Sequence, residues 1–531
     1  MLAKKYQDFL KLIIYQIYPR SFKDSNHDGI GDINGIIEKL DYLQELGINA
    51  IWICPCYKSP NADHGYDISD YCDIMEEFGT MEDMKRLIGE LHRRDMRLIM
   101  DLVPNHTSTQ HRWFQESRKS KNNPYSDYYY WFDEPQNDWK SSFGGSAWEY
   151  DERRGQYYLH SYAVSQADLN WNCPAVVREM QNIVDFWTAL GVDGFRCDVI
   201  DQISKDWDNN RNMFGPRLHE FIHALFGREA AAHLFTVGEC WCPDLEEVRR
   251  HTAYERRELS TVFQFDHMEC GREEKFIPKA PDLCEVRDIV ADWERLAEEN
   301  DLLYTLFTDN HDQPQFISRA SGYSALRYEA ATMLATMFYL MKGVPVIYQG
   351  QELGMTACHY DSIEDFEDIE SVNLYQELRK SMSHEEAMSR INFGSRDNTR
   401  RPMCWDDSEY AGFSDQKPWI TMHSEAKTQN LKTDLASEKS VFRYYRKLLR
   451  LRSGSDVILN GSFETVSARE DRFFAYIRKL EEQTLLVICN FDKASEITVD
   501  CSGGQLLLSN YTGRTAVNGV YEPFEAAVFQ L

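Results

Sequence analysis

Gly194-Phe195-Arg196-Cys197-Asp198-Val199-Ile200 is the stretch around which the rest of the chain is organised. Its apolar lead-in predicts a buried strand that ends in a charged pair. Arg196 and Asp198 are two residues apart, which on a strand sends both side chains to one face. Unpaired buried charge is costly, so the two form either a structural ion pair or part of a site. Three further stretches favour a site: Asp101-Leu102-Val103-Pro104-Asn105-His106, Val237-Gly238-Glu239 and Thr308-Asp309-Asn310-His311-Asp312. Each follows a short apolar run. Each places His or carboxylate at the C-terminal end of a predicted strand, where parallel α/β folds carry ligands and catalytic groups.

Around these strands, short β-branched runs alternate with helical patterns. Ile13 to Tyr18, Ala50 to Ile53 and Arg97 to Leu102 read as the first three strands. Ile33 to Leu46 reads as one helix, with apolar residues at helical spacing and Gly47 placed to end it. Met81 to Arg93 reads as the next helix. The rhythm then breaks from about 105 to 170, where Tyr128-Tyr129-Tyr130-Trp131-Phe132 sits in a segment too long for an ordinary loop. It reads as an inserted subdomain over the barrel mouth. The alternation resumes with a helix from Ala175 to Leu190, the organising strand, a helix from Leu218 to Phe226 and the strand before Glu239. Thr261 to Phe265 and Leu302 to Thr308 are the sixth and seventh strands. Ala330 to Leu340 is a helix, and Val344 to Tyr348 the eighth strand. Eight strands alternating with helices predict an α/β fold, a (β/α)8 TIM barrel. The barrel spans 1–104 and 171–454, the insert 105–170, and a C-terminal all-β domain, read as a β-sandwich, 455–531.

Bulk properties narrow the function. The chain has 531 residues, 43% hydrophobic, and a formal net charge of −28. Nucleic acids and anionic membranes need a basic surface and are excluded as partners; a neutral sugar is compatible. Thirteen cysteines, an odd number, read as reduced thiols. Neither Cys54/Cys56 nor Cys240-Trp241-Cys242 has a partner at zinc-like spacing. Reduced thiols point to a cytoplasmic protein. No run approaches the ~20 apolar residues of a membrane span, and the N-terminal segment with Lys4 and Lys5 lacks a signal-peptide pattern.

The four strand-end segments resemble, in order, the four sequence regions of the family 13 glycoside hydrolases, the α-amylase superfamily. The resemblance covers nearly the whole chain. It is nearest to the oligo-1,6-glucosidase and α-glucosidase branch. Ile17-Tyr18-Pro19-Arg20-Ser21-Phe22, Asp67-Ile68-Ser69-Asp70-Tyr71, Gly144-Gly145-Ser146-Ala147-Trp148, Asp168-Leu169-Asn170-Trp171 and Tyr348-Gln349-Gly350 all look like that branch. Glycoside cleavage needs two carboxyl groups flanking the bond, one protonated and one ionised. The resemblance implies Asp198 as nucleophile, Glu239 as general acid/base and Asp312 as the third carboxylate, with Arg196 keeping Asp198 ionised. It implies His106 and His311 as sugar-binding histidines. Asp63 would take the outermost hydroxyls, with Arg400 paired to it and Tyr66 stacked on the ring. Without the motif, Asp63 would be an ordinary loop acid and Arg400 a surface charge. Phe143, Tyr162 and Gln166 match pocket-wall positions.

In Asp24-Ser25-Asn26-His27-Asp28-Gly29-Ile30-Gly31-Asp32, oxygen ligands fall at positions 1, 3, 5 and 9, with the Ile30 carbonyl at 7. This is EF-hand-like spacing without the twelfth-position Glu. A plain acidic turn is the other reading; the resemblance implies a structural Ca2+, or Mg2+, held by Asp24, Asn26, Asp28, Ile30 and Asp32, and no organic cofactor.

The reading is an exo-acting, retaining α-glucosidase for short α-glucosides. Val199 follows the nucleophile. In this branch Val there goes with α-1,6-glucosidases and Thr with α-1,4-glucosidases, so α-1,6 links are preferred. The alternatives are an α-1,4-glucosidase, a sucrose- or trehalose-type hydrolase, a transglucosidase, or a non-catalytic sugar-binding or transporter-associated relative. The last class needs an anchor and typically lacks the carboxylates. The segment from Arg319 to Ser324 lacks the signature of the sucrose isomerases. Gln315, Arg401, Cys404 and His64 depart from the usual pattern and bear on the leaving-group side.

Overall fold

The computed structural model describes residues 4–321, 325–501 and 503–531. Positions 322–324 of the segment read against isomerisation lie outside the described residues. Eight parallel strands form the barrel: β1 (Ile14–Ile17), β2 (Ala50–Ile53), β3 (Arg97–Leu102), β4 (Gly194–Cys197), β5 (Phe235–Gly238), β6 (Thr261–Val262), β7 (Thr305–Leu306) and β8 (Val344–Tyr348). Their order is β6-β5-β4-β3-β2-β1-β8-β7. β1, β2, β4, β5 and β8 are fully buried, and β3 is buried beyond its first residue, Arg97, as a sheet covered on both faces requires.

β6 and β7 are shorter than their apolar runs predict. They flank the seam of the barrel, where the paired strand order ends on both sides. Side chains bridge it instead: Thr261 Oγ1 donates to Leu303 O at 2.7 Å and Thr305 Oγ1 to Val262 O at 3.3 Å. Phe263, Phe265 and Phe307 remain buried without extending the strands.

The helix expected over Ile33–Leu46 is two helices, Ile33–Glu38 and Leu40–Leu46. Lys39 leaves helical ψ between them and holds its amine 4.3 Å from the Trp405 ring centre. Asp32 caps the first helix through Gly35 N. Gly47, at φ 105°, ends the second.

The insert carries a three-stranded antiparallel sheet of Trp131–Phe132, Gln156–Leu159 and Trp148–Asp151. His106–Ser108 pairs antiparallel with Gln166–Asp168, so the insert begins and ends on one ladder beside the barrel mouth. Its aromatic residues, Tyr130, Phe132, Trp139, Trp148 and Tyr157, pack into a cluster of their own with Trp207. That packing explains a polar segment so rich in rings.

The C-terminal domain is a five-stranded antiparallel sheet, in order Ser462–Thr465, Phe473–Leu480, Gln483–Asn490, Ala526–Gln530, Gln505–Ser509. A second pair, Ser495–Ile497 with Gly519–Tyr521, contributes Ile497 and Tyr521 to a core shared with Leu486, Ile488 and Phe529. Arg478 on this sheet forms a fully buried ion pair with Glu294 of the barrel helix Leu283–Glu299.

Candidate active site

Gly194 opens β4 because nothing larger fits: a Cβ there would meet the Phe235 carbonyl oxygen at 2.3 Å. The close approach keeps β4 and β5 in register and sets their C-terminal ends side by side. Asp198 follows the end of β4, and Glu239 the end of β5. Asp198 N donates to Leu102 O at 2.8 Å, and Glu239 N to Cys197 O at 2.9 Å. Both side chains are therefore placed by barrel backbone.

Arg196 is the hub. Nη1 donates to Asp101 Oδ1 at 2.9 Å and to Asp198 Oδ1 at 2.7 Å, and Nη2 to Glu239 Oε2 at 2.6 Å. Its guanidinium lies over the Trp52 and Tyr66 rings at 5.2 and 5.9 Å. Three carboxylates around one guanidinium leave net negative charge in a buried place. Burial pushes Asp198 well above the ordinary carboxylate range; Arg196 pulls it back, and Glu239 and Asp101 add repulsion. Burial likewise takes Asp101 up to about 6 against Arg196.

Val199 turns the chain into the cavity. It sits at φ 34°, ψ 47°, a left-handed conformation rare for a β-branched residue. Its N–H donates to Glu239 Oε2 at 3.2 Å. The expectation that Val199 reaches the pocket agrees with the lining of the cavity, whose volume is about 370 Å3. That is room for a small oligosaccharide.

The lining also includes Asp63, Tyr66, His106, Phe143, Tyr162, Asp198, Glu239 and Asp312. His106 is buried, which lowers it to about 4, so it is neutral. Asp312 lies 3.1 Å from His311 Nε2. Burial would raise Asp312, but His311, Arg400, Arg396 and Arg196 outweigh it and hold the carboxyl well below its ordinary value.

The other expected residues lie behind this surface. Arg196 is the buried floor. His311 is fully buried and neutral, lowered to about 3 by burial. Its Nδ1 lies 2.8 Å from Gln16 Nε2, and its Nε2 2.6 Å from Tyr66 OH. Tyr66 OH in turn donates to Asp101 at 3.2 Å. Gln166 is not a wall residue either: its amide is buried and donates to Asp63 Oδ2 at 3.0 Å.

The pairing of Arg400 with Asp63 is not what forms. Arg400 donates to Asp312 Oδ1 at 2.8 Å and to His311 O at 2.9 Å. Arg396, one helical turn earlier, stands 3.4 Å from Asp63, 2.6 Å from Asp368 and 3.5 Å from Asp312. It also lies 5.0 Å from the Phe143 ring centre. Spacing of four residues puts both arginines on one face, and sequence alone does not say which reaches Asp63.

Sequence reasoning also missed the outer part of the cavity. Trp241, stacked on Phe265 at 4.4 Å, lines it with Arg272, Lys275, Glu269 and Glu370. Lys275 pairs with Glu370 at 2.5 Å, and Arg272 with Glu269. The signal for Trp241 was its place two residues after Glu239. The residues that depart from the usual pattern point elsewhere. Gln315 Nε2 donates to Asn398 O, Arg401 Nη1 to Thr421 O, and Cys404 Sγ faces Pro402 O. None of the three lines the cavity.

In the 24–32 loop, Asp24 Oδ1 accepts from the N–H groups of Asn26 and His27, and Oδ2 from Gly29 N and Ser414 Oγ. Burial would raise Asp24, but these bonds prevail and lower it. Asn26 Oδ1 accepts from Asp28 N, and Asp28 Oδ1 from Ile30 N. The loop is thus a string of local turns in which the exposed oxygens of Asn26 and Asp28 already accept bonds within the loop, Asp28 Oδ2 from Asn26 Nδ2 at 3.1 Å. An all-oxygen donor set fits a hard divalent cation. Asp32 is partly committed to the helix cap and to Ser25.

Comparison with known proteins places this geometry. The family model described as "Alpha amylase, catalytic domain" matches residues 16–461. The chain is 43% identical to the oligo-1,6-glucosidase of Bacillus cereus, over 98% of each chain. It is 45% identical to that of Parageobacillus thermoglucosidasius, over 94% of each. The crystal structure of Bacillus licheniformis trehalose-6-phosphate hydrolase superposes with a TM-score of 0.92 at 39% identity, covering 98% of this chain and 99% of that one. The strand-end carboxylates therefore sit in a glycoside hydrolase barrel, and the chain belongs to the α-amylase family, the family 13 glycoside hydrolases.

Proposed function

We propose that the protein is a retaining, exo-acting α-glucosidase that releases glucose from the non-reducing end of short α-glucosides and prefers α-1,6 links. One observation carries the reading. Asp198 and Glu239 bond the two ends of one buried guanidinium on the floor of a cavity that Asp63, Arg396 and Asp312 also line, tied to one another by ion pairs. Neighbouring prongs of one guanidinium fit the ~5–5.5 Å carboxylate spacing of retaining enzymes better than the ~6.5–9.5 Å of inverting ones.

Glu239 gives its proton to the glycosidic oxygen as Asp198 Oδ attacks the anomeric carbon. The C–O bond breaks and a glycosyl ester forms. Glu239 then takes a proton from water, which attacks the same carbon and frees Asp198. Asp312, His106 and Asp63 hold the ring hydroxyls. The covalent ester is also where a sugar acceptor would compete with water. Arg196 positions both carboxylates through its hydrogen bonds.

The leaving group is a neutral sugar. Six carboxylates line the cavity (Asp63, Asp198, Glu239, Glu269, Asp312 and Glu370) against three cations, and each cation is paired. Such a surface repels a phosphorylated leaving group. The test is kcat/KM on isomaltose, panose, maltose, sucrose, trehalose and nitrophenyl α-glucoside. Isomaltose and panose should lead. Trehalose or maltose in front would overturn the linkage preference.

Asp63 supplies a pH dependence. Burial raises its carboxyl to about 6 against the pull of Arg396 and Arg400. Only the ionised form accepts two sugar hydroxyl protons, so KM should climb as the pH falls through about 6. Asp63→Asn should flatten that limb of KM and raise KM at neutral pH. An unchanged KM profile in the variant would remove Asp63 from terminal-sugar recognition.

The loop from Asp24 to Asp32 would hold one structural Ca2+ or Mg2+ through Asp24, Asn26, Asp28, the Ile30 carbonyl and Asp32. A cation there ties the loop to the barrel. Chelation should lower the melting temperature more than it lowers activity assayed at low temperature. A melting curve indifferent to chelator and to added Ca2+ would refute the site.

Among the described residues no helix is long and apolar enough to cross a membrane. All thirteen cysteines are free, which supports a reducing, cytoplasmic location.

A further inference from the structure

The sequence offers Cys240 and Cys242 no partner at zinc-like spacing. The fold supplies one. The helix Leu245–Thr252 turns back beneath the loop and brings His251 against the two thiols. Cys240 Sγ lies 3.0 Å from Cys242 Sγ and 3.5 Å from His251 Nε2. Ligand atoms of all three residues fall within 4.8 Å of one another. Glu247 Oε1, one turn before His251 on the helix, lies 3.5 Å from the same Nε2.

We infer that Cys240, Cys242 and His251, with Glu247 as fourth ligand, form a binding site for a thiophilic divalent cation of the Zn2+ class. Donor chemistry comes first: two thiols, one imidazole and one carboxylate make a soft-to-borderline set, unlike the all-oxygen loop at 24–32. Distances come second. Tetrahedral bonds of ~2.3 Å to sulfur and ~2.0 Å to nitrogen separate S from N by about 3.5 Å and S from S by about 3.8 Å. The observed Cys240–His251 distance of 3.5 Å already matches. The sulfurs must part by about 0.8 Å to admit the ion, and Cys242 is half-buried and free to move outward.

His251 is fully buried, and its Nε2 is the nitrogen that faces both Cys240 and Glu247. Outside the ligands, His219 Nε2 lies 3.0 Å from Glu247 Oε1 and its Nδ1 2.6 Å from Glu258, so Glu247 is held in place by an outer partner. Binding converts two thiols to thiolates and releases two protons for each ion taken up. The ion would staple the loop of Glu239 and Trp241 to the helix beneath it.

The test uses the whole protein, reduced with a phosphine and kept in excess Ca2+ so that the 24–32 loop cannot report. Titration with Co2+ alone should give one equivalent of thiolate-to-cobalt charge-transfer absorption, displaced by Zn2+ and not by Ca2+. Zn2+ should also raise the melting temperature of the wild type. Cys242→Ser should abolish the absorption and the thermal shift. His251→Gln should weaken binding by ~100-fold or more, since a lost ligand outweighs the ~10–100-fold cost of a lost outer partner. Should Cys240→Ser fail to fold, Cys242→Ser, at the half-buried position, carries the test. Absorption that persists in Cys242→Ser, or a reduced wild type that takes up no Co2+, overturns the inference. So does closure of Cys240 and Cys242 into a disulfide in place of metal uptake.

Discussion

Asp198→Asn should lower kcat on isomaltose by at least about three orders of magnitude, more than about 4 kcal/mol of transition-state stabilisation. The amide cannot attack the anomeric carbon, yet it fills the same space and can still accept from Arg196 Nη1. The fold should survive and tighten. Burial and the neighbouring carboxylates raise Asp198 in the folded protein. A raised folded pKa means that stability falls as the pH climbs from the unfolded value toward the folded one, and stays lower above it. At neutral pH the uncharged variant should therefore melt higher than the wild type. Glu239→Gln should cost a similar factor on isomaltose and less on nitrophenyl α-glucoside, whose leaving group needs no proton. Azide separates the roles by stereochemistry. Asp198→Gly with azide should yield β-glucosyl azide, by a single inversion. Glu239→Ala with azide should yield the α-azide, by two. The opposite assignment of anomers would exchange the two roles, and near-wild-type turnover in either variant would remove that residue from the chemistry.

Val199→Thr should shift the ratio of isomaltose to maltose kcat/KM toward maltose by roughly tenfold to a hundredfold. Val199 lines the cavity, and its N–H bonds Glu239, so its side chain stands beside the acid that serves the leaving group. A Thr hydroxyl can orient a water or a sugar hydroxyl there; a Val methyl cannot. One such contact in an apolar setting is worth ~1–3 kcal/mol. An α-1,6 link has an extra rotatable bond, so its leaving sugar can swing past the methyl. Both residues are β-branched, so the left-handed backbone at φ 34° is strained alike in each. The comparison therefore isolates the hydroxyl. An unchanged ratio would show that Val199 is a packing residue only, and selectivity would then pass to Trp241 and the paired charges of the outer cavity.

Most of the barrel was legible in the sequence because each strand combines an apolar run with a polar strand end. β6 and β7 were overextended because Phe263, Phe265 and Phe307 are as apolar as strand residues. They pack beside a seam that sequence does not mark. The single helix expected over Ile33–Leu46 hid a break at Lys39, since a lysine in mid-helix carries no sign of the Trp405 ring it will cover. At the site, motif residues on barrel strand ends were legible, as were Asp63, Tyr66, Phe143 and Tyr162 through their motifs, whereas residues on the later connections were not. Arg396 and Arg400 share a helix face, so choosing between them for Asp63 needed coordinates. Arg272, Lys275 and Glu370 come from separate connections, and only the folded chain brings them to one cavity. Gln315 and Arg401 looked relevant to the leaving group because they depart from a pattern. Their hydrogen bonds to Asn398 and Thr421 turn them away from it.

The most direct measurement is a proton NMR time course of the enzyme acting on an equimolar mixture of isomaltose and maltose. The account predicts that the α-1,6 anomeric signal falls first, and that glucose appears as the α-anomer in excess before mutarotation. Early β-glucose would contradict retention, and maltose consumed ahead of isomaltose would contradict the α-1,6 preference.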